Sequence, residues 1–218
     1  MEAAFFDLDG TIVNLPTEKV FCRELYRDGV VSSLDMLKVA LVYLKYELGL
    51  VSGYADAKRY LIRTIVQDLA APEIAARAAR FLDEQVKPNI SREAVAEIAA
   101  HHTVGRTVYI VSSTLDCLVD PIVDFLGTGE RLATRLEIRD ARYTGKVVGE
   151  IVYGPQKALL VKEIASSRSI DLTKSYAYGD SIQDADMLRC VGNPRVVNPD
   201  RRMARVAKQS GWQIMTWK

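Results

Sequence analysis

Apolar and polar positions along the chain follow two rhythms that trade places. Residues 3–8 (Ala-Ala-Phe-Phe-Asp-Leu) form a short apolar run leading into Asp7, the pattern of a buried strand with polar residues at its carboxyl end. From about residue 16 to residue 86 apolar residues recur at helical spacing, and no strand pattern interrupts them. Phe21, Leu25 and Tyr26 predict one helix stopped by Gly29, and residues 36–48 a second, stopped near Gly49. Residues 54–69 predict a third, and Pro72 suits the first turn of a fourth that runs to about residue 86.

After Pro88 strands and helices alternate. Helices are predicted at 91–100, 115–126, 155–166, 184–190 and 201–210, and strands at 107–111, 175–178, 195–197 and 212–216. The stretch 132–153 alternates and predicts a hairpin turning at Tyr143-Thr144-Gly145-Lys146. This alternation specifies an α/β fold, a doubly wound parallel sheet of Rossmann type with helices on both faces. The helical block interrupts it, so the expected organisation is a core of residues 1–15 and 88–218 with an inserted four-helix cap at 16–87.

Composition narrows the classes. The 218 residues carry 29 Lys+Arg and 28 Asp+Glu, without the basic footprint of a nucleic-acid binder. Arg201, Arg202 and Arg205 fit a solvated helix face. Cys22, Cys117 and Cys190 are few, odd in number and far apart, which indicates neither a disulfide framework nor a zinc site; they are expected as buried thiols in a reducing compartment. No signal peptide pattern opens the chain, so a cytoplasmic location is expected. The stretch 34–51 is the most lipid-like, but Asp35, Lys38, Lys45 and Glu47 would be costly at a bilayer centre. It predicts an amphipathic helix, with docking on a membrane surface as its alternative. The paired His101-His102 is expected in a surface loop, and Trp212 and Trp217 as packing residues.

Three predicted strands end in small, polar or acidic residues: Asp7-Leu8-Asp9, Ser112, and Gly179-Asp180. Ligands of doubly wound sheets sit outside the carboxyl ends of the strands, so folding would gather these ends. Crowded carboxylates need a cation, and Asp7, Asp9, Asp180 and Asp184 together suit Mg²⁺. Taken singly, Asp-Gly also caps turns, Ser112 also caps helices, and a lysine at a helix start is ordinarily solvated.

Four segments in order resemble the haloacid dehalogenase superfamily of hydrolases. They are Asp7-Leu8-Asp9-Gly10-Thr11, Ser112 after Val111, Lys157 in Gly154-Pro155-Gln156-Lys157, and Gly179-Asp180-Ser181-Ile182-Gln183-Asp184. The segments 175–181 and 197–200 and the helical insertion resemble its phosphoserine-phosphatase-like branch. The resemblance implies a magnesium-dependent phosphatase. Asp7 would be the nucleophile, forming an aspartyl-phosphate, and Asp9 the general acid/base. Ser112 and Lys157 would bind the phosphoryl group. Asp7, the Asp9 carbonyl, Asp180 and Asp184 would hold the metal.

The implied partner is a small phosphorylated metabolite, with neither nucleic acid nor stable membrane insertion, and the chain is expected as a monomer or homodimer. Where phosphoserine phosphatases carry a substrate-binding glutamate, this sequence has Pro16, with Glu18 two residues on. Arg23, Arg27, Lys58, Arg59 and Arg63 are candidates for anion binding from the cap or for solvated faces. Phosphotransfer or phosphomutase chemistry on the same site, dehalogenation, and a non-catalytic metabolite-binding module are the alternative readings.

Overall fold

A computed structural model describes residues 1–50 and 53–217. Val51, the last residue of the apolar stretch 34–51, lies outside the described residues, as does Lys218.

Strand β1 (Ala3–Phe6) is followed by four helices, α1 (Thr17–Arg27), α2 (Ser33–Glu47), α3 (Tyr54–Val66) and α4 (Ala71–Phe81). A π-turn at Leu82–Val86 and a 3₁₀ turn at Lys87–Asn89 lead into α5 (Arg92–Thr103), β2 (Thr107–Leu115) and α6 (Asp116–Leu126). The hairpin β3 (Glu130–Arg139) and β4 (Arg142–Val148) follows, then α7 (Pro155–Ser167) and β5 (Tyr176–Gly179). A 3₁₀ turn (Ile182–Asp184), α8 (Ala185–Leu188), β6 (Asn193–Val197), α9 (Arg201–Ser210) and β7 (Gln213–Met215) complete the chain.

The sheet order is β4-β3-β2-β1-β5-β6-β7, parallel except at the β3–β4 hairpin. From β1 the chain builds outward first through β2 and β3, then on the other side through β5, β6 and β7. The switch point therefore lies at the carboxyl end of β1, where doubly wound sheets bind ligands, and Asp7 follows that strand directly.

Alternation along β1 explains the two layers. Ala4 and Phe6 face one apolar cluster, with residues of α5, α6 and the helical block; Ala3 and Phe5 face the other, with residues of α7, α8 and α9. Phe5 and Phe6 are fully buried, each worth about 1.5–3 kcal/mol of transfer free energy. The first cluster runs without a break from the sheet into Phe21, Ile62, Ile74 and Phe81 of the helical block. Entry and exit of that block lie side by side: Val13 bridges Ile90, and Asn14 N–H donates to the Asn89 carbonyl at 2.8 Å.

The predicted fourth helix departs from α-geometry after Phe81, as a π-turn before Pro88. The predicted hairpin turn at 143–146 is corrected. The chain reverses at Asp140-Ala141, both at positive φ (50° and 59°), the backbone of a two-residue hairpin. Gly145 lies inside β4 instead. A Cβ there would stand 3.2 Å from the Arg63 Cα and 3.0 Å from the Gln67 Cβ, so the glycine lets α3 pack against the hairpin. Residues 68–71 then cover the outer edge of β4, with Ala71 N–H on the Ala141 carbonyl and Asp68 N–H on the Tyr143 carbonyl.

The histidine pair is likewise corrected from loop to helix: both residues belong to α5, and His101 is buried. Its Nε2 lies 2.9 Å from the Tyr178 hydroxyl, which donates to Glu97 at 2.7 Å. Because Tyr178 spends its proton on a carboxylate, Nε2–H must donate, leaving Nδ1 to accept from Arg106. Burial lowers the imidazole to about 4, with Arg106 acting in the same direction against Glu97. The three thiols are free, and half-buried rather than buried. Trp217 is buried and stacks on Tyr178.

Helix α2 starts on Ser32, whose hydroxyl accepts from Asp35 N–H. Its Leu34, Leu37, Leu41 and Leu44 are exposed, so an apolar stripe of the predicted amphipathic helix faces solvent. Among the described residues, no helix is long and apolar enough to cross a membrane.

Candidate active site

Strand ends and one helix start build the site. The turn after β1 carries Asp7 and Asp9, with Asp7 N–H donating to the Tyr178 carbonyl at 2.9 Å. Gly10, at φ +83°, closes the turn against the β5 end; a Cβ would stand 2.5 Å from Asp180 Oδ2, so only glycine admits this approach. Strand β2 shifts register between Ser112 and Leu115, and this bulge turns Ser112, Ser113 and Thr114 into the site. Pro155 opens α7 and delivers Lys157 from its first turn.

Lys157 Nζ donates to Asp7 Oδ1 and to Asp184 Oδ1, both at 2.6 Å, with all three residues buried. Asp184 Oδ2 accepts from Ser181 N–H and Ser181 Oγ, the capping box of the short turn after β5. Thr17 fixes Asp9: its hydroxyl donates to Oδ1 at 2.7 Å and its N–H to Oδ2 at 3.1 Å. Ser112 Oγ accepts from Thr114 N–H at 3.1 Å, which leaves the hydroxyl proton for an incoming acceptor. Asp7, Asp9, Ser112, Lys157 and Asp180 line one cavity of about 340 Å³, roofed by Tyr43, Tyr46, Tyr54 and Tyr153.

Carboxylate crowding shows in the proton affinities. Burial, then the Asp184 charge, pushes Asp7 up to about 6 against the opposing Lys157. Burial, with Asp7 and Glu18 adding repulsion, pushes Asp9 up to about 7 despite the Thr17 hydrogen bonds. Burial and the charges of Asp7 and Asp184 push Asp180 up to about 8. Burial alone would lower Lys157; Asp184 and Asp7 outweigh it and raise the ammonium.

One ammonium among these carboxylates leaves negative charge uncompensated. Asp7, Asp180 and Asp184 can present one oxygen each within 4.8 Å of one another. An all-oxygen, anionic donor set of this kind fits Mg²⁺. The Asp9 carboxylate stands apart from that set, engaged by Thr17.

All six sequence-derived site residues converge here, with Asp184 beside Asp7, Asp180 and Lys157 but behind the cavity wall. Thr17 and Thr114 were not foreseen, and nothing in their local sequence distinguishes them from ordinary threonines. Of the five basic candidates in the helical block, none lines this cavity; Lys58 stands behind its wall, buried, donating to Glu18 at 3.0 and 2.9 Å and to the Ser113 carbonyl. Arg59 pairs with Glu150, Arg63 with Gln67, and Arg27 with Glu24 and Asp28. Arg23 borders a second, apolar cavity.

The family model described as haloacid dehalogenase-like hydrolase matches residues 4–189. A probable phosphatase of Mycobacterium tuberculosis is 34% identical over 219 residues, covering 99% of this chain and 75% of the relative. A Bordetella pertussis protein of unknown function superposes with a TM-score of 0.88 at 25% identity, over 98% of this chain and 97% of that one. A phosphoserine phosphatase structure, titled as a phospho-aspartyl intermediate analogue, superposes with a TM-score of 0.69 at 22% identity, over 98% and 91%. On the family match and the 34% relative, the chain belongs to the haloacid dehalogenase-like hydrolases.

Proposed function

We propose that the chain is a phosphatase that hydrolyses phosphate monoesters through an aspartyl-phosphate on Asp7. The observation that carries the reading is Lys157, held 2.6 Å from Asp7 and 2.6 Å from Asp184 in a buried site. An ammonium so fixed beside a carboxylate keeps Asp7 ionised and offers its remaining proton to a phosphoryl oxygen. The Asp7 carboxylate attacks phosphorus, and the ester P–O bond breaks. Asp9, raised to about 7, gives its proton to the departing alkoxide. It then takes a proton from the water that cleaves the acyl phosphate, restoring both carboxyl groups and releasing phosphate. Ser112 donates to a phosphoryl oxygen, and Thr17 holds Asp9 in line.

Asp7, the Asp9 carbonyl, Asp180 and Asp184 would hold Mg²⁺, which supplies positive charge for the phosphoryl oxygens. We assign residues 1–15 and 88–218 to the catalytic core and 16–87 to a cap; the Val13–Ile90 bridge at the paired linkers supports that division. The name of the M. tuberculosis relative, a probable phosphatase, agrees with this chemistry. The test is phosphate release from a panel of monoesters including p-nitrophenyl phosphate. Release that stops with EDTA and returns with Mg²⁺ is expected; release that persists after exhaustive chelation contradicts the metal assignment.

A further inference from the structure

The space around the leaving group describes the substrate. In the proposed mechanism the ester oxygen lies between Asp7 and Asp9, so the leaving group extends toward the helical block. There Glu18 is already occupied. Both of its oxygens accept from Lys58, and one also accepts from Leu115 N–H at 2.9 Å. Lys58 is occupied in turn, by Glu18 and by the Ser113 carbonyl. This pair is an internal brace between α1, α3 and β2, in which the buried Lys58 ammonium already balances the Glu18 carboxylate.

Past the brace the walls become apolar. A second cavity of about 450 Å³, open on one side, lies between the helical block and α6, among Phe21, Met36, Leu61, Ile65, Ile74 and Leu118, with Lys19, Arg23 and Lys58 also on its wall. It shares Glu18, Lys19, Tyr43, Tyr46 and Tyr54 with the site cavity, so the two spaces adjoin. Ligand cavities run from about 300 to 1,000 Å³, and this one falls in that range. The shared tyrosines combine an apolar ring with a polar tip, which suits the junction between a phosphate ester and a hydrocarbon chain. Tyr54 is fixed in that position by stacking on Tyr153, ring centroids 3.8 Å apart.

Resting on the phosphatase reading, we propose that the leaving group is an apolar chain lying in this chamber, so that the preferred substrates are amphiphilic phosphomonoesters, phosphates of long-chain alcohols or acylated polyols. At a water-like volume of about 30 Å³ per methylene-sized group, the chamber takes on the order of ten carbons. A sugar or polyol in the same place would leave hydroxyls without partners.

The test is a series of n-alkyl phosphates from ethyl to decyl, each kept below its measured aggregation concentration, beside p-nitrophenyl phosphate. Binding of the matching non-hydrolysable n-alkylphosphonates is measured by calorimetry. Burying a methylene is worth roughly a threefold to fourfold gain in affinity, so burial of only about three of the eight methylenes added from ethyl to decyl would already lower KM and phosphonate Kd by about thirtyfold, the smallest fall expected. Because the chain binds substrate and transition state alike, kcat should stay nearly flat. Ala40→Trp, which puts bulk into the chamber from α2, should cut the decyl-to-ethyl ratio about tenfold within that variant.

Turnover of the whole series with no dependence on chain length overturns the chamber assignment and leaves the phosphatase reading standing. Phosphonates that bind more tightly with length, while no ester in the set is cleaved, support the chamber and overturn the phosphatase reading. Phosphonate affinity that ignores chain length overturns the chamber whatever the turnover.

Discussion

Thr17 holds both oxygens of Asp9, by its hydroxyl at 2.7 Å and its backbone N–H at 3.1 Å. The first turn of α1 thus positions the proposed acid/base, although α1 belongs to the helical block and Asp9 to the turn after β1. On the proposed mechanism, substrate contacts made by the block and proton transfer at Asp9 would share this one mechanical connection.

Replacing Thr17 with valine removes the 2.7 Å bond and keeps the side-chain shape. The expected result is a fall in kcat of about tenfold to a hundredfold, the size of a misaligned general acid/base. Steady-state kinetics with p-nitrophenyl phosphate, with circular dichroism to verify the fold, measure it. Wild-type kcat in Thr17→Val would show that Asp9 needs no such support.

Lys157 pairs with two buried carboxylates, so Lys157→Met leaves Asp7 and Asp184 without their shared cation. Breaking a buried pair from one side costs about 3–5 kcal/mol. Urea unfolding without divalent ions should show a loss of that order. Added Mg²⁺ should restore more stability to the variant than to the wild type, because it meets a larger charge excess. Equal Mg²⁺ responses in the two proteins would place the cation away from Asp7 and Asp184.

His101 gives a stability signal separate from the site. Its pKa is about 4 folded and about 6.5 unfolded. Between those values the unfolded chain takes up a proton that the folded chain refuses. Stability from His101 is therefore complete above about pH 6.5 and is lost as pH falls toward 4. Unfolding at pH 8 and pH 5 should show the wild type losing about 2 kcal/mol more than His101→Gln. The comparison cancels the titration of the site carboxylates, which both proteins share. Parallel pH dependence in the two would mean that His101 is protonated without penalty.

Much of this arrangement was legible in the sequence because β1, β2 and β5 are short apolar runs whose polar ends stand out against them. Asp7, Asp9 and Asp180 follow the ends of β1 and β5, Ser112 follows the apolar part of β2, and Lys157 follows Gly154-Pro155 at a helix start. What stayed hidden depends on contacts distant along the chain. Thr17 and Lys58 look like ordinary residues of amphipathic helices until α1 and α3 pack beside β2. The hairpin turn at Asp140-Ala141 carries no glycine or asparagine signal, while Gly145, which does, serves the close approach of α3 instead. His101 lies at the end of a helix with weak periodicity, and only its bond to Tyr178 reveals that it is buried.

The central claim is that Asp7 is the nucleophile, and the most direct measurement is phosphate release by wild type and Asp7→Asn side by side with Mg²⁺. An amide cannot form the acyl phosphate. The account predicts a loss of about a thousandfold or more in kcat, with the fold intact by circular dichroism. An Asp7→Asn protein that releases phosphate at the wild-type rate would contradict it.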